Sequence, residues 1–157
     1  MTPAVAQAKK AKIKFTLHEY DHDPNTRAYG REAAEKLGID PNRLFKTLVV
    51  AVGTADLAVA VVPVAGHLDL KAFARALGVK KTVMADKHIV EKTTGYLTGG
   101  VSPMGQKKRL PVLIDASAQD LDKIWVSAGR RGLQISLSPH DLAGLTRAGF
   151  HSIARPN

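Results

Sequence analysis

Lys46 and Thr47 stand near the start of FKTLVVAV, residues 45–52, where a cation and a hydroxyl precede an unbroken apolar run. A lysine there can snorkel, its stem lying on apolar surface and its ammonium in water. If the wall around it is enclosed, the ammonium instead needs a phosphate, a carbonyl oxygen or a carboxylate, and an unfilled need of that kind marks a ligand site. A second candidate is TGGVSP, residues 98–103. Its paired glycines allow close backbone approach and positive φ, so peptide N–H groups can converge on an oxyanion or phosphate, although a tight surface turn uses the same letters. Three basic clusters, KKAKIK, GQKKRLP and AGRRG, read singly as solvated faces. Together they could track a nucleic-acid backbone.

HEYDH, residues 18–22, satisfies the letters of the H-E-x-x-H zinc motif. That motif works only on a helix, where positions i and i+4 share a face. Here Ile13, Phe15 and Leu17 alternate with polar residues as a strand does, and Asp23-Pro24 follows at once, so no metal is expected. The chain has no cysteine, which removes disulfides, thiolate metal sites and a protein-borne thiol nucleophile. Any thiol chemistry must come from a substrate.

The elements that position these residues can be read from period and punctuation. Thr2-Pro3 opens a short helix to about Lys12, residues 21–30 carry turn residues, and REAAEKLG is a helix ended by Gly38. LFKTLVVAV and LAVAVVPV flank GTAD and lack polar alternation, so they are strands covered on both faces near the middle of a sheet. LDLKAFARALG is a helix with Asp69 as N-cap, and a second short helix spans about residues 86–92. The glycine-punctuated stretch 93–111 is long for a connection, and such loops are usually functional. LPVLIDAS, KIWVSAG and GLQISLS are further strands, followed by a capped helix in SPHDLAGLTRAG and a last run, FHSIA.

At 157 residues, 45% apolar and 24% charged, the chain fits one soluble domain with a sizeable core. Its net charge of +9 suggests a polyanionic partner, nucleic acid first. The amino terminus lacks an apolar core of signal-peptide length, and no stretch approaches about 18 uninterrupted apolar residues. A cytoplasmic protein without a membrane partner is expected.

In their order and spacing, TPAV, KTLVVAV, VPVAGHLDLK, ALGVKK, TTGYLTGGVSPMGQKKRLPVLID and GRRGLQI together resemble the YbaK/EbsC family of aminoacyl-tRNA deacylases over essentially the whole chain. The resemblance implies an α+β fold, a single domain over residues 1–157 with a central mixed sheet flanked by helices. It implies no metal and no cofactor. The implied partner is the acceptor end of tRNA(Pro) carrying a wrong amino acid, with prolyl-tRNA synthetase as a further partner. Activity would depend on Lys46, with Thr47 beside it, and residues 99–103 would be the family's G-x-x-x-P loop. Gly99, Gly100, Ser102 and Pro103 would then hold the aminoacyl end, and Tyr20 and Ser127 would line the pocket. Gln134 stands where relatives can carry an aspartate, and an amide can hydrogen-bond yet cannot accept a proton or balance Lys46. Lys107, Lys108, Arg109, Arg130 and Arg131 are the expected tRNA contacts. In the family the substrate's cysteine thiol attacks its own carbonyl and expels the tRNA, so Cys-tRNA(Pro) is the expected substrate. Ala-tRNA(Pro), or a non-catalytic module that binds tRNA or the synthetase, is the alternative.

Overall fold

The computed structural model describes residues 1–157. The first half of the chain forms α1 (Pro3–Ala11), β1 (Phe15–Glu19), α2 (Tyr29–Leu37), β2 (Phe45–Val52), β3 (Asp56–Pro63) and β4 (Gly66–Leu68). Next come α3 (Leu70–Leu77), β5 (Thr82–Met84), α4 (Lys87–Thr94) and, after a long loop, β6 (Val112–Asp115). The chain closes with β7 (Ile124–Arg130), β8 (Leu133–Leu137), α5 (Pro139–Thr146), β9 (Gly149–His151) and β10 (Ala154–Pro156).

The helix ends carry the signals expected of them. Thr2 accepts from the Val5 N–H with Pro3 in the first turn, and Asp69 accepts from the Ala72 N–H at 3.0 Å. Gly38 and Gly78 close α2 and α3 in the left-handed region. β2 and β3 pair antiparallel along their full length, from Phe45↔Pro63 to Val52↔Asp56. They lie inside a mixed five-stranded sheet of order β5-β2-β3-β6-β9, in which β6 is parallel to β3 and to β9.

The single central sheet that the sequence suggests is in fact accompanied by two smaller ones. β1, β8 and β7 form an antiparallel sheet of three strands, and β10 pairs with β4. The main core fills the space between the five- and three-stranded sheets, with Val49, Val59 and Ile114 facing Val126 and Ile135. On the far face, Phe73 of α3 packs with Val50, Ala60 and Leu113. β1 is an edge strand, which leaves Leu17 40% exposed despite its place in an alternating pattern.

One contact brings the smaller sheet to the start of β2: the Trp125 N–H donates to the Arg43 carbonyl at 3.0 Å, beside a parallel bridge between Leu44 and Trp125. The Val64 N–H, just past β3, donates to the Leu44 carbonyl at 2.8 Å and carries the β2–β3 ladder one step further. At the other end, buried Asp115 accepts from the Ile153 and Ala154 N–H groups, both at 3.0 Å, and so fixes the C-terminal strand.

Phe73 is fully buried and is the largest side chain joining α3 to the sheet. Phe73→Ala is expected to lower unfolding stability by about 3–5 kcal/mol. A urea titration would register this as a lower midpoint with an unchanged slope.

Candidate functional site

The site begins with a mismatch in strand length. β2 has eight residues and its neighbour β5 has three, pairing only with Val50, Ala51 and Val52. One further bond, from the Ala85 N–H to the Val49 carbonyl at 3.1 Å, ends the contact. Beyond it the edge of β2 borders a cleft of about 680 Å³ lined by residues 44–49, Tyr29, Gly99, Ser127 and Gln134, among others.

The direction of the main chain along this edge follows from two hydrogen bonds. The Val49 carbonyl accepts from Ala85, and its partner Val59 donates to the Pro111 carbonyl at 2.8 Å, so this pair turns its polar groups away from each other. In an antiparallel ladder that orientation recurs every second residue. Thr47, paired with Val61, therefore presents its N–H and C=O to the cleft. The Thr47 hydroxyl is buried and has no partner in the chain, and neither does the Gln134 side-chain oxygen across the cleft. Gln134 is only 7% exposed and lies opposite Ser127 in the register of β7 and β8.

Lys46 projects from the opposite face of β2 to Thr47, because successive side chains alternate. Its ammonium donates to the Gly66 carbonyl at 2.9 Å, and no ion pair joins it to a carboxylate. Burial lowers its pKa from the ordinary lysine value. Arg27, Arg31 and Lys87 also line the cleft, and no Asp or Glu does. The cavity is therefore an electropositive one with unspent hydrogen-bonding groups on its floor.

The opposite wall is the turn 98–100 packed on Tyr29. Gly99 has φ +87, and a Cβ added there would stand 2.6 Å from the Tyr29 ring. The Gly99 N–H has no acceptor in the chain. Arg131 ties the turn down, donating from Nε to the Thr98 carbonyl at 2.7 Å with its guanidinium 5.1 Å from the centre of the Tyr29 ring. Glu91 holds the same turn through the Thr98 N–H at 2.9 Å. The segment before Tyr29 is anchored by Glu32, a buried carboxylate that accepts from the Asp23 N–H at 2.7 Å and bonds His22 Nδ1 at 2.7 Å. Burial pushes the Glu32 carboxyl up, but the bonds from His22 and Asp23, with Lys36 beside it, outweigh this and hold it below the usual carboxylate range.

Of the residues singled out by sequence, Lys46, Thr47, Gly99, Ser127 and Gln134 line this one cleft. Gly100, Ser102 and Pro103 do not. A Cβ on Gly100 would meet the Arg130 backbone at 2.8 Å, Ser102 is fully buried and accepts from the Met104 N–H, and Pro103 borders a separate small pocket. Tyr20 also lies outside the lining, packed beside Leu44 and Trp125, where burial raises its phenol pKa. Among the basic residues, Lys107 and Lys108 bond through their N–H groups to Thr94 and Thr93 at the end of α4, with exposed side chains. Arg109 borders the small pocket, and Arg130 pairs with Glu19 at 3.7 Å. Sequence reasoning passed over Tyr29, Arg27, Arg31 and Lys87. The first three sit in or beside a segment that reads only as a turn, and Tyr29 announces itself solely as an aromatic among turn residues. The HEYDH letters fall on β1 and the loop after it, where His18 bonds Ser136 and His22 bonds Glu32.

Comparison with known proteins places this geometry in context. The sequence profile of the aminoacyl-tRNA editing domain matches residues 23–145. A protein of Enterococcus faecalis named "Putative Cys-tRNA(Pro)/Cys-tRNA(Cys) deacylase EbsC" is 39% identical over 152 residues, which cover 97% of this chain and 92% of that one. A proline–tRNA ligase of Thermoanaerobacter sp. is 31% identical over 118 residues, 73% of this chain but 20% of the ligase. Among solved structures, one titled "Crystal structure of a putative trans-editing enzyme for prolyl tRNA synthetase" shares the fold, with a TM-score of 0.79, 23% identity and 99% of each chain covered.

Glu32→Gln keeps the shape but loses the charge-assisted bonds, and should cost about 1–3 kcal/mol of stability at neutral pH. Because the folded carboxyl pKa is lowered, the wild-type advantage is full above the usual carboxylate range and fades as pH falls through the lowered value. Unfolding curves of both proteins at pH 7 and across the acid range would show the two converging.

Proposed function

Because the chain belongs to the family of aminoacyl-tRNA editing domains, we propose that the β2 cleft removes cysteine from mischarged Cys-tRNA(Pro), acting in trans. The chain is an aminoacyl-tRNA deacylase, and the cysteine and the proline acceptor are the finer parts of this reading. The observation that carries it is Lys46: a half-buried ammonium whose hydrogen bond goes to one backbone carbonyl, in a cleft lined by no acidic side chain.

An aminoacyl ester is already activated, so the protein must orient it and stabilise the charge that develops on its carbonyl oxygen. Lys46 and the Gly99 N–H are the donors free to do so, in a site where partial exclusion of water strengthens each interaction. Thr47 and Gln134 offer acceptor oxygens to the α-amino group of the aminoacyl moiety. With no cysteine in the chain, the thiol is the substrate's own. Its sulfur attacks the ester carbonyl carbon as its proton is released, the carbon–oxygen bond to the ribose breaks, and the ribose oxygen takes up a proton. The products are free tRNA and a cyclic thioester that water opens to cysteine. Gln134 fits this scheme because it needs no protein carboxylate to take the proton. A separate check of this kind is required since one methylene in an apolar pocket separates substrates only about 10–200-fold.

Lys46→Ala should lower deacylation at least about 100-fold, the scale for removing one preorganised donor, while thermal unfolding stays near wild type. Near-normal turnover would overturn the role given to Lys46. Gly99→Ala should displace Tyr29 and strain a left-handed residue by about 1–2 kcal/mol, reducing turnover without unfolding the protein. Initial rates on Cys-tRNA(Pro) and Ala-tRNA(Pro), measured side by side, test the amino acid. Faster loss of cysteine supports thiol assistance, faster loss of alanine requires water as nucleophile, and loss of neither overturns the deacylase reading.

A further inference from the structure

The rim of the cleft formed by β5 and α4 combines two surface properties that the chemistry at Lys46 does not use. Six large apolar side chains are markedly exposed in the whole protein, and four of them, Val83, Met84, Ile89 and Leu97, fall on this one segment at 47, 48, 48 and 66%. Met84 reaches the cleft lining, and Leu97 immediately precedes Thr98 and Gly99 of the opposite wall. Met84 therefore carries the apolar character of this segment to the cleft mouth, while Val83, the preceding residue of β5, points to the other face of the strand.

The charges of the same segment are one-sided. Lys80, Lys81, Lys87 and Lys92 are exposed or at its margin and make no ion pair. Its two acidic side chains are spent internally: Asp86 caps α4 through the His88 N–H, and Glu91 holds the Thr98 N–H. Lysines beside an edge strand also discourage pairing between sheets. That role gives no reason to leave Val83 and Met84 uncovered, since a charged residue would serve it better. Unpaired cations interleaved with aliphatic side chains, at the mouth of a cleft that takes an aminoacyl-tRNA end, match a single-stranded nucleic acid. Its phosphates take the lysines while its bases cover the aliphatic side chains by burial rather than by aromatic stacking.

We propose that the single-stranded 3′ end of the tRNA lies along the β5–α4 rim, entering the cleft past Met84 with its phosphates on Lys80, Lys81 and Lys87. The proposal rests on the deacylase reading and extends it to the path of the RNA. Strand geometry gives the path its scale: β5 rises about 3.3 Å per residue, so Lys81 stands about 10 Å from Met84 at the cleft mouth. The rim is thus a binding surface separate from the reacting atoms, and it should act on affinity rather than on the chemical step.

The test uses the full chain, the variants Lys80→Ala/Lys81→Ala and Ile89→Ala, and three probes. These are a short fluorescein-labelled single-stranded RNA ending in CCA, the aminoacyl-tRNA, and the aminoacyl ester of adenosine alone. The lysine variant should bind the RNA roughly tenfold more weakly, and its log Kd against log salt should flatten by about 1.4, or about 0.7 per lost phosphate contact. Ile89→Ala should weaken binding severalfold with an unchanged salt slope. Both should raise KM for aminoacyl-tRNA at near-constant kcat and leave the adenosine ester untouched. Unaltered RNA binding and KM would overturn the proposal, as would equal losses on both esters, which would mean damage to the cleft. A defect seen only when prolyl-tRNA synthetase is added would make the rim a protein-docking surface and also overturn it. A wild-type protein that binds the RNA through the rim yet cleaves neither ester would uphold the path and overturn the deacylase reading.

Discussion

The edge of a central strand is ordinarily sealed by its neighbour, and in this protein half of one is left open. β5 covers only the last three residues of β2, so the preceding residues keep an unpaired rank of main-chain groups while remaining inside the fold. From this follow the position of the cleft, the presence of Lys46 and Thr47 on its two sides, and the need for other segments to wall it in. The loop before α2 and the turn 98–100 supply the walls, and both are held by carboxylates, Glu32 for the one and Glu91 for the other. A β5 two or three residues longer would complete the sheet and erase the site.

The distribution of carboxylates divides structure from function. Glu32, Glu91 and Asp115 are each committed to backbone N–H groups that hold a segment in place. None lines the cleft, where every charged side chain is basic. An unpaired half-buried ammonium stabilises nothing by itself, because desolvation works against it. The Lys46 ammonium donates one hydrogen bond to the Gly66 carbonyl and has no carboxylate partner, so its charge is left unbalanced within the chain.

The long central elements were legible because their signals are local. The apolar runs of β2 and β3, the short Gly-containing link between them, and the Asp69 and Gly38 caps each depend on residues a few positions apart. Strands of three residues, such as β4, β5 and β10, carry too little period to read, and their existence depends on partners far along the chain. Residue chemistry alone marked Lys46, Thr47 and the Gly99 turn, and resemblance added Ser127 and Gln134 to them. What it could not supply was Tyr29, whose place against Gly99 is a matter of three-dimensional packing, or the outward direction of the Thr47 main chain, which follows only from how neighbouring strands end. Tyr20, matched by position, does not itself line the cleft but packs on Leu44 and Trp125 and hydrogen-bonds the Gln134 side chain that does.

The pairing of β1 with β8 joins residues 15–19 to residues 133–137. During synthesis the first strand therefore has no partner until most of the chain has left the ribosome, and closing so long a loop before any contact rewards it is slow. The sheet that brings Ser127 and Gln134 to the cleft is among the last parts that can assemble. A chain that ended before β7 would lack Ser127 and Gln134 in the cleft and the Arg131 side chain that ties down the turn 98–100, so the cleft is complete only once this late-pairing sheet is in place.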